Sequence, residues 1–350
     1  MANIKNRHFG LDFVRAIAIT VVVLSHTGVL LCNITPYFNH LSLIDGVDLF
    51  FVLSGLLIGE IILTTDFKTF SSVKLFLFRR WLRTLPNYYL FLIINIALVY
   101  FKLAPGMLST ASGYYLVFLQ NLFKPIDSMF WESWSLVVEE WFYLILPILI
   151  FLMTQITRSK KIVYLCATLF LILFSLLSKF IFIKTHSTFN YNLSLRSIAI
   201  YRFDTLGFGL LLAYYTTFKI HFLKSFKWIG LLIFILYAIF RSVISEPISL
   251  LFFSTLACSC LIIFCYNYPS TNLYIKNAIT LISKISYSMY LIHLPVYYIL
   301  KPHFANKTGV LALLWFIIYM GLVYSLSFIN FRYFECYFLK LRERKFTKSH

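Results

Sequence analysis

Long apolar segments recur along the whole chain, and each is long enough to cross a bilayer as a helix. A transmembrane helix needs about 20 mostly apolar residues, and a helix satisfies its own backbone hydrogen bonds inside the hydrocarbon. The sequence therefore predicts an all-α integral membrane protein, a single transmembrane domain over residues 1–350 built as a bundle of about ten helices. The predicted spans are residues 11–33, 46–64, 84–103, 136–154, 162–183, 198–217, 228–244, 248–267, 280–300 and 309–331.

Composition supports a membrane protein and excludes other classes. Apolar residues make up 60% of the chain and charged residues 13%, whereas a soluble domain carries about 25% charge. The formal charge is +18, and such an excess in a membrane protein marks cytoplasmic loops and contacts with anionic lipids. We therefore expect membrane lipids, and not nucleic acid, as partners. The six cysteines have no regular spacing, so we expect neither a disulfide framework nor a metal site.

The distribution of lysine and arginine predicts how the spans are oriented. One further apolar segment, residues 108–123, is short. If it does not cross, most loop cations and the basic C-terminal tail collect on the N-terminal side. If it does cross, the later loops exchange sides and the bias weakens. We therefore predict that residues 108–123 form an interfacial or re-entrant piece and that both termini are cytoplasmic.

Arg15 and His26 lie on the first apolar segment, and their spacing is close to three helical turns. Both side chains therefore share one stripe of a helix, about 16 Å apart. An ionisable group inside a bilayer costs at least a few kcal/mol, which favours a functional role. We expect His26 to act as a general base and Arg15 to guide a donor or stabilise an oxyanion. The alternatives are a His26 that hydrogen-bonds between helices and an Arg15 that reaches the headgroups.

Other spans bring polar residues to a depth similar to that of His26, so we expect a shared wet cavity. Adjacent Glu139 and Glu140 diverge by about 100° on a helix. One of them is expected to line the cavity and orient the His26 ring, while the other faces water or a cation such as Arg202. Residues expected to bind substrate or support the site are Asp48, Tyr143, Arg202, Asp204 and His293. His293 could instead be a structural hydrogen bonder.

The run FRRWLRTLP places three arginines before the third predicted span. Arg83 follows Arg80 by three residues, so the two share a helical face. Two guanidinium groups suit a phosphorylated ligand because each can bind phosphate oxygens bidentately. We take Arg79, Arg80 and Arg83 as donor-binding candidates together with Ser54. The arginines also fit the positive-inside rule without a ligand, and Ser54 with Gly55 also fits close helix packing.

Seven motifs in order make the chain resemble the acyltransferase-3 family of integral-membrane acyltransferases. They are LDFVRAIAITVVVLSH, GVDLFFVLSGLLI, FRRWLRTLPNYY, WSLVVEEWFYLILP, YRFDTLGFGLL, ISYSMYLIHLP and FRYFECYF. The resemblance implies ten helices and transfer of an acyl group, usually acetyl from acetyl-CoA, to sugar hydroxyls of surface glycans.

The resemblance also implies roles for single residues. The family's arginine-and-histidine motif maps onto Arg15 and His26, and its paired arginines, associated with the CoA donor, map onto Arg80 and Arg83. Two departures are present: the family's Ser-Gly-Phe motif ends here in Leu56, and its Glu-x-Pro pattern is absent after Glu335. The chain looks like the stand-alone form, without an extracellular hydrolase-like domain.

The expected function is that of a membrane O-acyltransferase in the bacterial cytoplasmic (inner) membrane. We expect acetyl-CoA as the cytoplasmic donor and a hydroxyl of a cell-surface or lipid-linked glycan as the acceptor, such as O-antigen of lipopolysaccharide, capsule or exopolysaccharide. One alternative is a transporter of lipid-linked glycan or acyl groups, which needs no base. Another is an acyltransferase with a different donor, such as succinyl-CoA.

Overall fold

The computed structural model describes residues 8–34, 45–125, 128–218, 225–266, 268–269 and 272–346. Within these ranges the protein consists of helices and connecting segments and has no β-strand. Twelve α-helices are α1 (Phe9–His26), α2 (Gly28–Ile34), α3 (Gly46–Thr64), α4 (Phe70–Tyr100), α5 (Ser133–Thr154), α6 (Lys160–Thr185), α7 (Phe203–Phe218), α8 (Lys227–Phe240), α9 (Pro247–Tyr266), α10 (Leu273–Phe304), α11 (Gly309–Asn330) and α12 (Cys336–Phe346). Short 3-10 or π-helical turns are Thr110–Val117, Ser128–Phe130, Tyr191–Arg196, Ala199–Arg202, Arg241–Val243 and Phe331–Glu335.

Seven of the described helical segments are long and apolar enough to cross a membrane. They are α1, α3, α4, α5, α6, α9, and α11 with its continuation to Arg344. The other three predicted spans are also helices, α7, α8 and α10. However, α7 has 16 residues and α8 has 14, and α10 is not among the helices that are apolar enough to span. The prediction of an all-helical integral membrane protein is confirmed, whereas ten spans and cytoplasmic termini stay predictions.

The first predicted span, residues 11–33, is not one helix. The α-helix ends at His26, and Thr27 leaves helical geometry with φ −92° and ψ 13° before α2 begins at Gly28. The Thr27 hydroxyl donates to Leu24 O over 2.7 Å, and such a local bond competes with helix continuation. Glycine at the next position weakens the helix further. The break therefore makes His26 the last residue of α1.

The helix α4 begins at Phe70, well before the predicted start of the third span at residue 84, and it continues through Pro86 to Tyr100. Three arginines lower the mean hydropathy of the first half of α4, although arginine is compatible with a helix. The run FRRWLRTLP therefore lies inside α4. The segment 108–123 contains only the short 3-10 helix Thr110–Val117, and its interfacial or re-entrant placement stays a prediction.

Two glycines allow α3 and α7 to pack backbone against backbone. A Cβ atom added at Gly55 would lie 2.0 Å from the carbonyl oxygen of Leu206, and one added at Gly209 would lie 2.2 Å from that of Val52. Close approach through small residues is the usual way in which helices associate in a membrane. The interpretation of Gly55 as a close-packing residue fits this contact, which joins α3 to α7.

Replacing Gly55 with alanine should destabilise the protein, because the added methyl group meets backbone atoms that cannot rotate away. Overpacking of this kind costs about 1–3 kcal/mol or more. The measurement is the thermal midpoint of the detergent-solubilised protein. The matched control is Gly321→Ala in α11, where an added Cβ meets nothing within 4 Å. Equal midpoints for the two variants would contradict the close contact.

Candidate active site

A cavity lies between α1, α3, α4, α5 and α10, with an empty volume of about 810 Å³ including its opening. The wall is mixed, with apolar residues from α3 and polar residues from all five helices. The polar lining residues are Arg15, Ser54, Arg80, Arg83, Thr84, Ser135, Glu139, Tyr143, Ser286, Tyr287 and Tyr290.

Ser54 and Glu139 meet inside this cavity. The Ser54 hydroxyl donates to Glu139 Oε1 over 2.6 Å, which joins α3 to α5. Tyr143 lies one turn after Glu139, and the Arg80 guanidinium sits over its ring, 5.2 Å from the ring centre. Glu139 is therefore the glutamate that lines the cavity, with a serine as its hydrogen-bond donor.

Glu140 points elsewhere and braces two helices. The hydroxyl of Thr84 donates to Glu140 Oε1 over 2.7 Å, and the phenol of Tyr287 donates to the Thr84 carbonyl over 2.9 Å. The two glutamates thus diverge as expected. However, the cation suggested as a partner, Arg202, does not meet either glutamate, because it pairs with Asp48.

Arg15 lines the cavity, and Ser283 and Asp12 hold its guanidinium group in place. Its Nη1 donates to the Ser283 hydroxyl over 3.3 Å and lies 3.7 Å from Asp12 Oδ1. Ser283 in turn donates to Asp12 over 2.7 Å. The cluster fixes the guanidinium between α1 and α10, so Arg15 is a preorganised cation and not a side chain that extends freely to the headgroups.

Arg80 and Arg83 project from one face of α4 into the same cavity, whereas Arg79 is exposed and is not among its lining residues. With Arg15, the cavity has three guanidinium groups and one carboxylate, Glu139. Such a cavity attracts anions, since low-dielectric walls focus the field of the lining charges.

His26 is not among the lining residues. Its Nδ1 lies 2.8 Å from the carbonyl oxygen of Val22 and 3.3 Å from Nε2 of His293, with the two ring centres 4.9 Å apart. The sequence predicted a glutamate as the residue that orients the His26 ring. In the structure the ring of His26 instead contacts a histidine, His293. The ring of Tyr290, which lines the cavity, lies 5.8 Å from that of His293, so the histidine pair adjoins the cavity wall.

Three further candidates lie in a buried ionic network away from the cavity. Arg202 forms an ion pair with Asp48, and the Ser254 hydroxyl donates to Asp48 Oδ2 over 2.6 Å. Asp204 pairs with Lys179. All four charged side chains are at most 2% exposed. The first pair joins α3 to the turn Ala199–Arg202, with Ser254 of α9 as a further donor, and the second pair joins α6 to α7. Both pairs therefore link neighbouring helical segments.

Lys179, Glu132 and Asp12 are among the buried ionisable residues that the sequence analysis did not single out. Lys179 could have been found as a lone cation within the apolar segment 162–183. Glu132 lies just before α5, and neither carboxyl oxygen has a hydrogen-bond partner within the described residues. Burial raises the pKa of Glu132 to about 8, so the carboxyl group is mostly protonated at neutral pH. No signal in the sequence separates it from an ordinary residue at the start of a helix.

The fold and the cavity define an integral membrane protein that encloses a cationic, hydroxyl-lined cavity beside a pair of histidines. A sequence profile described as an acyltransferase domain matches residues 8–332. Because this match covers nearly the whole chain, the chain belongs to the acyltransferase-3 family, as its motifs predict.

Individual relatives match over shorter stretches. A peptidoglycan O-acetyltransferase (OatA) of Listeria monocytogenes serovar 1/2a is 34% identical over 133 residues, which cover 33% of this chain and 21% of the Listeria protein. An uncharacterized protein of Haemophilus influenzae is 29% identical over 186 residues, 48% of this chain and 74% of that protein. No solved structure matches the chain significantly.

Proposed function

We propose that this protein is a membrane O-acyltransferase that moves an acetyl group from acetyl-CoA to a hydroxyl group of a cell-surface or lipid-linked glycan. The observation that carries the proposal is the cavity in a chain of this family, where Arg15, Arg80 and Arg83 face hydroxyl groups and Glu139. The name of the Listeria relative, a peptidoglycan O-acetyltransferase, supports a glycan acceptor.

Acetyl-CoA is proposed as the donor because its charge complements that of the cavity. An acyl-CoA carries several phosphate groups and a thioester at the end of a long arm, so it needs cations at one end and an apolar path at the other. Arg80 and Arg83 supply the cations, and the α3 residues of the cavity supply the path. In the proposed orientation, with ten spans and both termini cytoplasmic, the donor enters from the cytoplasm.

The chemistry assigned to His26 is general base catalysis. A sugar hydroxyl is a weak nucleophile, and removal of its proton in the transition state accelerates attack. The acceptor oxygen bonds to the thioester carbonyl carbon while His26 takes the proton. Arg15 lies about three helical turns from His26 and is held by Asp12 and Ser283, so its proposed role is to guide the acyl-CoA arm towards the histidine. The carbon–sulfur bond then breaks, and the thiolate receives the proton from His26, which gives the ester and free CoA.

The acceptor is a glycan hydroxyl, as in O-antigen, capsule or exopolysaccharide, and the proposed location is the bacterial cytoplasmic membrane. Deletion of the gene from its source bacterium should remove O-acetyl signals from proton NMR spectra of the surface polysaccharide, and the wild-type gene should restore them. Purified protein in lipid nanodiscs should transfer labelled acetyl from acetyl-CoA to that polysaccharide after its ester groups are removed. A transporter would form no labelled ester in the purified system. An unchanged O-acetyl pattern in the deletion strain contradicts the proposal.

Replacing Arg80 or Arg83 with glutamine should raise the KM for acetyl-CoA by about 10- to 100-fold with a smaller change in kcat, because a hydrogen bond to a charged group contributes about 1.5–3 kcal/mol. The matched control is Lys74→Gln, an exposed cation on the same helix. Acetyl-pantetheine keeps the thioester and has no phosphate. If the KM for acetyl-pantetheine rises in the variants as much as the KM for acetyl-CoA, the arginines do not bind phosphate.

A further inference from the structure

We propose that His293 is a positioning residue that, together with the Val22 carbonyl, fixes the tautomer of His26 and leaves His26 Nε2 as the basic nitrogen. The proposal rests on the proposed function, since it concerns the base of that reaction. A second, neutral histidine thus takes the place of the glutamate that the sequence predicted as the orienting residue.

The protonation pattern of His293 follows from its partners. Its Nδ1 lies 2.7 Å from the carbonyl oxygen of Tyr290, and a carbonyl only accepts hydrogen bonds. Nδ1 therefore bears the proton. In the neutral ring the remaining nitrogen, Nε2, is then an acceptor, and the side chain of His293 is fully buried, an environment that favours the neutral ring.

His26 is also protonated on Nδ1. Its Nδ1 lies 2.8 Å from the Val22 carbonyl and 3.3 Å from the acceptor nitrogen of His293. Both neighbours are acceptors, so the His26 proton resides on Nδ1 and is shared between them. Nε2 of His26 therefore carries the free lone pair, which is the atom that a general base uses.

The scaffold holds His293 in place from two sides. The phenol of Tyr319 donates to the His293 carbonyl over 3.2 Å. The phenol of Tyr290 donates to the carbonyl of Glu132 over 2.8 Å and shares a 2.6 Å hydrogen bond with Ser135. These bonds tie this part of α10 to α11 and α5. The Nε2 acceptor of His293 consequently has a fixed position relative to the end of α1.

In this pair His26 acts as the base, and His293 orients it. When His26 accepts the substrate proton on Nε2, its ring becomes a cation and its Nδ1–H becomes a stronger donor. The bonds to Val22 O and to His293 Nε2 then strengthen in the transition state, as the carboxylate bond does in a Ser-His-Asp triad. His293 itself takes no proton and touches no substrate, so it stabilises the imidazolium through its lone pair.

Three substitutions separate positioning from mere packing. Glutamine places an amide oxygen near the position of Nε2 and keeps the acceptor for His26. Asparagine places its amide near Nδ1, so it keeps the donor to Tyr290 O and loses the acceptor. Phenylalanine keeps the ring volume and loses both. We expect His293→Gln to retain kcat within a few-fold of wild type, and His293→Asn and His293→Phe to lose about 10- to 100-fold in kcat with the KM for acetyl-CoA unchanged.

The readouts are acetyl transfer by purified protein in nanodiscs, acetyl-CoA binding and the thermal midpoint of each variant. A structural role predicts that kcat follows the midpoint and that asparagine, which keeps the buried bond to Tyr290, is at least as good as glutamine. An asparagine variant as active as the glutamine variant would overturn the proposal. Failure of the proposed function is seen separately, as an absence of acetyl transfer by the wild-type protein.

Discussion

The His26→Ala protein is expected to lose acetyl transfer by about 10²- to 10⁴-fold, the usual contribution of a general base, while it still inserts in the membrane and binds acetyl-CoA. Donor binding should survive because His26 is not among the residues that line the cationic cavity. The measurement is acetyl transfer by purified protein in nanodiscs, together with binding of acetyl-CoA by calorimetry.

Two further variants sharpen this experiment. His186→Ala removes an exposed histidine just after α6 and should leave transfer unchanged. His26→Gln keeps a hydrogen-bonding side chain of similar length and has no basic nitrogen, so it should be as inactive as the alanine variant. A glutamine variant that keeps most of its activity would contradict a base at this position and favour the transporter alternative.

The helices could be predicted from the sequence because the bilayer imposes strict demands on length and polarity. Each apolar segment of sufficient length had to become a helix, and every predicted span corresponds to one or more helices. The ends were less predictable. Thr27 interrupts the first span through a local hydrogen bond, and α4 starts at Phe70 because arginines that depress hydropathy do not prevent a helix.

The depth of each candidate residue along its span could be predicted from the sequence. The direction in which its side chain points could not. A rise of about 1.5 Å per residue gives the depth of a side chain along a span, and on this basis the sequence predicted polar groups of several spans at a similar depth. The rotation of each helix about its own axis depends on packing, which the sequence does not specify. For this reason the polar residues, expected in one shared cavity, are divided among the cationic cavity, the histidine pair and the ionic network of Asp48, Arg202, Lys179 and Asp204.

The Asp48–Arg202 pair gives the largest expected change in stability. Replacing Arg202 with methionine should destabilise the fold by about 3–5 kcal/mol, because it leaves the Asp48 carboxylate buried without its cation. Both side chains are fully buried. The double variant Asp48→Leu with Arg202→Met should recover most of this loss, since an apolar pair of similar volume needs no compensating charge. The measurement is the thermal midpoint of the four proteins of this cycle in detergent.

The same variants decide whether the pair binds substrate or braces the helices. The exposed pair of Lys68 and Asp66, 3.0 Å apart, is the control, and Lys68→Met should leave the midpoint unchanged. If Asp48 and Arg202 only join α3 to the turn Ala199–Arg202 before α7, the folded double variant retains acetyl transfer close to the wild-type rate. A stable double variant without activity would instead assign the pair to the substrate, and a double variant no more stable than Arg202→Met would contradict the bracing role.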